Sequence, residues 1–168
     1  MTGIFIVQSV YPTWLIQRGL EAGHVAMLYV VAGVFGMLAG LGAGLAAGRF
    51  REQRKLLASI LAAGATSACF IAALPPTFGA QFVPFAILSA SAALLSPVLR
   101  ASVNDLVAPH ERGSLNALWN AFFQFASTIG AIAGTLLLAQ NATFGWNGFT
   151  ATLLLAAAAG MFLFKARG

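Results

Sequence analysis

Asn116, Asn120, Gln124 and Thr128 stand four residues apart inside one apolar stretch, with Ser127 beside them. At 3.6 residues per turn they form a single stripe along a helix. Gln8 and Tyr11 sit three apart in an earlier stretch, next to Pro12 and Thr13. Ser89, Ser96 and Arg100 share roughly one face of another, with Pro97 interrupting its hydrogen-bond ladder. These groups donate and accept hydrogen bonds but carry no acid, base or nucleophile pair. Amides are costly in an apolar surround, so the stripe predicts a helix face turned to protein or water. Two readings stand for it: hydrogen bonding between helices, or the wall of a solute pathway. Gln8, Tyr11, Ser89, Ser96, Asn116, Asn120 and Gln124 are the candidate pathway residues.

Enzyme chemistry lacks its parts. His24 and His110 both fall in predicted connections, so no histidine stands inside an apolar segment to activate a serine. The chain has no HExxH, no paired carboxylates within a segment and no phosphate-cradling glycine loop ending in Lys-Ser/Thr. No residues have metal-ligand spacing, and neither a metal nor another cofactor is expected. Cys69 is the lone cysteine, so no disulfide forms within the chain.

The elements that must hold these residues follow from composition. Of 168 residues 60% are hydrophobic and only 8% charged. A soluble surface needs roughly three times that share of charge. The few charges cluster, which leaves six apolar segments: Gly3 to Gln17, Val25 to Gly48, Leu56 to Leu74, Phe82 to Ser102, Ser114 to Leu138 and Phe149 to Phe164. Pro75-Pro76, Pro109 and Asn147-Gly148 mark connections. The expected fold is an all-α polytopic membrane protein, one six-span domain over residues 1–168. The first segment is short for a span at 1.5 Å per residue and begins without basic residues, as a truncated helix would.

The net charge of +5 is distributed by side. Arg49, Arg51, Arg54 and Lys55 follow the second segment, Arg100 and Arg112 flank the fourth-to-fifth connection, and Lys165 and Arg167 follow the sixth. All of these fall on one side of a six-span bundle, with Arg18 alone on the other. Positive residues stay in the cytoplasm, which places both termini there. Trp14, Trp119 and Trp146 lie near segment ends, where indole favours the headgroup region. The basic residues adjoin apolar segments instead of lining a polar helix face, so their neighbours are lipid headgroups and not nucleic acid.

Glycines supply the other pattern. Gly36, Gly40, Gly44 and Gly48 recur at a spacing of four, and Gly130 and Gly134 repeat the device in the fifth segment. Such rows let a second helix approach closely. They serve either static packing or a face that slides against a moving partner. Arg100, a few residues from a segment end, either snorkels to the headgroups, pairs with Asp105 or Glu111 as a gate, or attracts an anionic solute.

The stretch Gly44-Leu-Ala-Ala-Gly48-Arg49-Phe50, followed by Arg54-Lys55, resembles the signature loop of the major facilitator superfamily, Gly-x-x-x-Asp-Arg with a trailing basic cluster. Pro109-His-Glu-Arg112-Gly113 and the helix after it resemble the family's fourth-to-fifth loop and fifth helix. Tyr11-Pro12-x-Trp14-Leu15 is similar to the end of a first or seventh helix. Gly48 stands where the signature has aspartate, and the fourth segment lacks the arginine expected near its start in a first half. Both departures are those of a second half, helices seven to twelve. The resemblance implies a six-helix bundle of two inverted three-helix repeats, half of a secondary active transporter that moves a small solute or drug by alternating access. It also implies that the first and fourth segments line the cavity, that the second and fifth form its lateral walls, and that Gly44, Gly48, Arg49, Arg54, Lys55, Arg100 and Arg112 serve the cytoplasmic gate. The implied partners are the bilayer, the solute, and the missing N-terminal half or a second copy. The alanine-rich composition points to a bacterial inner membrane. The alternative is an accessory or structural membrane subunit with no transport of its own.

Overall fold

A computed structural model describes residues 1–47, 53–104, 107–141 and 144–164. Six α-helices follow one another: α1 Thr2–Gln17, α2 Ala22–Ala47, α3 Gln53–Ala73, α4 Phe78–Asn104, α5 Arg112–Asn141 and α6 Gly145–Phe164, with a short 3-10 turn at Pro109–Glu111. No strand occurs among the described residues. Helices are what such a chain must form, since an apolar phase offers no partner for a free backbone N–H or C=O. α2 to α6 are each long and apolar enough to cross a membrane. α1 has 16 residues and falls below that length.

Short connections make successive helices antiparallel. The principal pairings are α3 with α6, α2 with α4, α3 with α4, α1 with α5 and α1 with α6. Exchanging α1 with α4, α2 with α5 and α3 with α6 maps this set of pairings onto itself: α2–α4 becomes α1–α5, α3–α4 becomes α1–α6, and α3–α6 is unchanged. Because α1 and α4 run in opposite directions, the two triplets are inverted copies of one packing plan. Despite its length, α1 is the most enclosed helix, with Ile4, Val7, Val10, Tyr11 and Leu15 all buried.

Glycine decides where backbones meet. A Cβ on Gly130 would stand 2.6 Å from Phe5 Cβ, and one on Gly134 would stand 2.6 Å from the Ile6 carbonyl oxygen. These two positions carry the α1–α5 contact. Gly148 does the same for α6 against Ala68 and Ala72 of α3. Beside it Thr152 Oγ1 donates to the Ala65 carbonyl at 3.2 Å.

The structure corrects several sequence expectations. Asn147-Gly148 is not a connection but the first turn of α6. Asn147 is fully buried and its Nδ2 donates to the Gly134 carbonyl at 3.2 Å, so burial overrides the turn preference of the dipeptide. His24 belongs to the first turn of α2, where its ring lies against Phe78 and 3.6 Å from Glu21. α4 starts at Phe78, four residues before the expected Phe82, and runs through both Pro84 and Pro97. Of Gly36 and Gly40 in the α2 row, Gly36 packs as expected, 3.6 Å from Ala93 Cβ. A Cβ on Gly40 would face open space.

Candidate functional site

Burial is uneven across the bundle. Half of the apolar window of α3 is buried, against 17% for α2 and 11% for α5. The bare faces carry large side chains, among them Val34, Leu38 and Leu41 on α2 and Phe122, Phe125 and Ile132 on α5.

Between α2 and α5, with α1 and α4 behind, lies a cavity of about 580 Å³. α1 contributes Phe5 and Gln8, α4 contributes Phe85, Ser89 and Ser96, α2 contributes Tyr29 and Gly36, and α5 contributes Phe123. Aromatic rings therefore alternate with an amide and two hydroxyls, and no lining residue is charged. The absence of a side chain at Gly33 and Gly36 opens the α2 wall.

The end near the α1–α2 and α3–α4 connections is plugged by aromatic rings. Tyr11 stacks on Phe85 at a centroid distance of 4.4 Å, and Tyr29 packs edge-on against Phe85 at 4.9 Å. Tyr29 also donates its hydroxyl to the Gln8 carbonyl at 3.1 Å. Behind the plug Tyr11 donates to Gln81 Oε1 at 3.1 Å. Gln81 Nε2 is within 3.2 Å of the Ile71, Leu74 and Pro75 carbonyls at the end of α3. Those are carbonyls a helix end leaves without intrahelical donors. One buried amide thus ties α1, α3 and α4 together.

At the opposite end Arg100 Nη2 donates to Asn120 Oδ1. α4 and α5 have little other contact. The bond lies one turn beyond Ser96 on α4 and one turn before Phe123 on α5, so it spans the mouth of the cavity.

The sequence model of the Major Facilitator Superfamily matches residues 1–167. The chain belongs to the major facilitator superfamily. Members of this superfamily are transporters, not enzymes, and the chain is a multi-pass membrane protein. Comparison with curated proteins and with solved structures returned no match.

Within this superfamily bundle the expected residues fall into distinct places. Gln8, Ser89 and Ser96 share the cavity wall. Tyr11 is fully buried behind it. Of the α5 stripe, Asn120 bonds across to α4, while Gln124 and Thr128 are exposed and Thr128 Oγ1 turns back to the Gln124 carbonyl. Asn116 is half-buried one turn nearer the α4–α5 connection. The lining spans four helices, α1 and α4 at the back and α2 and α5 at the sides.

Of the gate residues, Gly48 and Arg49 lie outside the described residues, as does Asp105, and of Gly44 and Arg54 only the helical backbone is described. Lys55 opens α3 and Arg112 opens α5, both exposed. Glu111 does not pair with Arg100; its carboxylate lies 3.9 Å from His110. The anchor of Arg100 is the neutral amide of Asn120.

Sequence reasoning passed over Gln81, Tyr29, Phe85 and Phe123. Gln81 is the single amide at the entry of an apolar segment, a signal that placing the helix start one residue later discards. The aromatic residues carry no sequence signal of their own, since only the fold assembles them.

Proposed function

We propose that this chain is the six-helix half of a secondary active transporter, and that the α1/α2/α4/α5 cavity is its share of a solute pathway with alternating access. One observation carries the reading: a cavity with Gln8, Ser89 and Ser96 set in an otherwise largely apolar wall opens between the two least buried helices, where a second six-helix unit can close it. Gly33, Gly40 and Gly42 of α2 have open space where a side chain would stand, which leaves a shallow strip for a partner helix. The partner is either a further six helices of the same transporter or a second copy of this chain. The aromatic plug closes one end, the Arg100–Asn120 bridge the other, and rocking of the two units breaks them in turn.

A small solute or drug, moved by an efflux- or permease-type protein, suits a cavity of this size. The basic cluster after α2 supports an orientation with both termini in the cytoplasm, and the alanine-rich composition suits a bacterial inner membrane.

The test uses a thiol inside the cavity. In a Cys69→Ser background, Ser89→Cys is expected to react with a water-soluble maleimide in native membranes, because a thiol ionises in water and not in hydrocarbon. An unreactive Cys at this position, beside a reactive Arg112→Cys control, would contradict an aqueous pathway. It would favour an accessory subunit whose polar residues only join helices.

A further inference from the structure

We infer that the cavity accepts an organic anion, a solute with an aromatic body and one carboxylate-type group that Arg100 receives. The inference rests on the pathway reading above and names its substrate class.

Three observations converge on it. First, Arg100 is half-buried and its Nε is enclosed with no partner among the described residues. An arginine that merely snorkels to headgroups keeps its guanidinium in the wet layer. This one turns Nη2 sideways onto α5. Second, the acceptor it has found is neutral. Asn120 Oδ1 stands where an anion's oxygen would sit, and it satisfies one donor of a fork that offers five. A carboxylate presents two oxygens in a geometry that matches this fork.

Third, among the described residues no acid faces Arg100. No lining residue is charged, and the acids described, Glu21 and Glu111, sit outside the helical spans beside His24 and His110. A cation held near an apolar cavity without an opposite charge is unfavourable, and a bound anion offsets that cost. The same field repels a cationic solute. Phe5 and Phe123, the lining rings nearer Arg100, meanwhile offer ring surface to an aromatic body.

Binding also acts on the gate. A carboxylate taken by Arg100 competes with Asn120 for the same donors, so arrival of the anion loosens the one hydrogen bond described between α4 and α5. The solute therefore weakens the closure that retains it.

The test follows labelling of Ser96→Cys, one turn from Arg100, in the Cys69→Ser background of the full chain in membrane vesicles. N-ethylmaleimide is the label; sodium benzoate, benzyl alcohol and benzylamine are the probes. Benzoate is expected to slow labelling several-fold, and the neutral and cationic analogues to leave it unchanged. Arg100→Gln, which also removes the donor to Asn120, should label faster than the parent and show no benzoate effect relative to its own rate, and Arg100→Lys should keep part of the effect. Equal protection by benzyl alcohol, or full benzoate protection in Arg100→Gln, overturns the anion assignment. The three probes compared on the chain with Arg100 in place decide the matter even if Arg100→Gln does not fold. Absence of labelling before any probe is added overturns the pathway reading and this inference with it. Labelling without benzoate protection overturns this inference alone.

Discussion

The Tyr11 hydroxyl donates to Gln81 Oε1 at 3.1 Å, joining α1 to α4 across 70 positions of sequence. The same amide holds the end of α3 through its nitrogen. Tyr11 in turn stacks on Phe85, which lines the cavity. A polar node buried at the helix ends thus positions the aromatic plug.

Gln81→Leu removes that node. The Tyr11 hydroxyl and the end of α3 lose their partner in a fully buried place, at a cost of about 1–3 kcal/mol. The expected readout is a lowered Tm of the detergent-solubilised protein. Tyr11→Phe, which leaves only one acceptor of Gln81 unmet, should lower it less. An unchanged Tm for Gln81→Leu would show that water already serves these groups.

Asn147→Leu provides the contrast. Asn147 Nδ2 has one bond, to the Gly134 carbonyl, and its Oδ1 is buried with no partner among the described residues. Replacing a half-satisfied amide with an apolar group of similar size removes one bond and one orphan together, for a net change within about 1 kcal/mol. A loss as large as that of Gln81→Leu would mean that Oδ1 has a partner in solution.

Gly134→Ala tests the α1–α5 contact. The added Cβ meets the Ile6 carbonyl oxygen at 2.6 Å, and backbone cannot yield as a flexible side chain can. Destabilisation of about 1–3 kcal/mol is expected, seen as a lower Tm. Gly40→Ala, at an open site, should leave the Tm of the isolated chain unchanged.

Asn120→Ala releases Arg100 from α5. With the bridge gone, labelling of Ser96→Cys should rise when maleimide is supplied from the membrane face that carries the α4–α5 connection. Asn120→Ala combined with Gln124→Leu should, in addition, abolish transport by the full transporter. Unchanged labelling would remove the bridge from any gating role.

Much of the bundle was legible because long apolar runs and clustered charges leave few alternatives to spanning helices. Ser89, Ser96 and Gln8 could be picked out because a polar group in such a run is conspicuous. Their meeting in one cavity depends on α1 and α4 lying together, which no single-helix pattern encodes. The Asn147-Gly148 pair misled for a physical reason: its local turn preference is weaker than the burial of Asn147 and the close α3–α6 crossing at Gly148. Gly40 shares the spacing of Gly36 but has open space where Gly36 meets Ala93, and glycine spacing alone does not tell a face packed within the bundle from one left for a partner. Gln81 went unread because its nitrogen bonds backbone carbonyls, which any sequence provides, and its oxygen meets Tyr11 only once α1 and α4 pack together.

Alternating access requires the cavity to be wet and reachable from both membrane faces in turn. The most direct measurement is labelling of Ser89→Cys, in the Cys69→Ser background, by an impermeant maleimide applied separately to sealed vesicles of each orientation. Reaction from both faces is the result expected of alternating access. Reaction from neither face, or from one face alone under every condition, would contradict it.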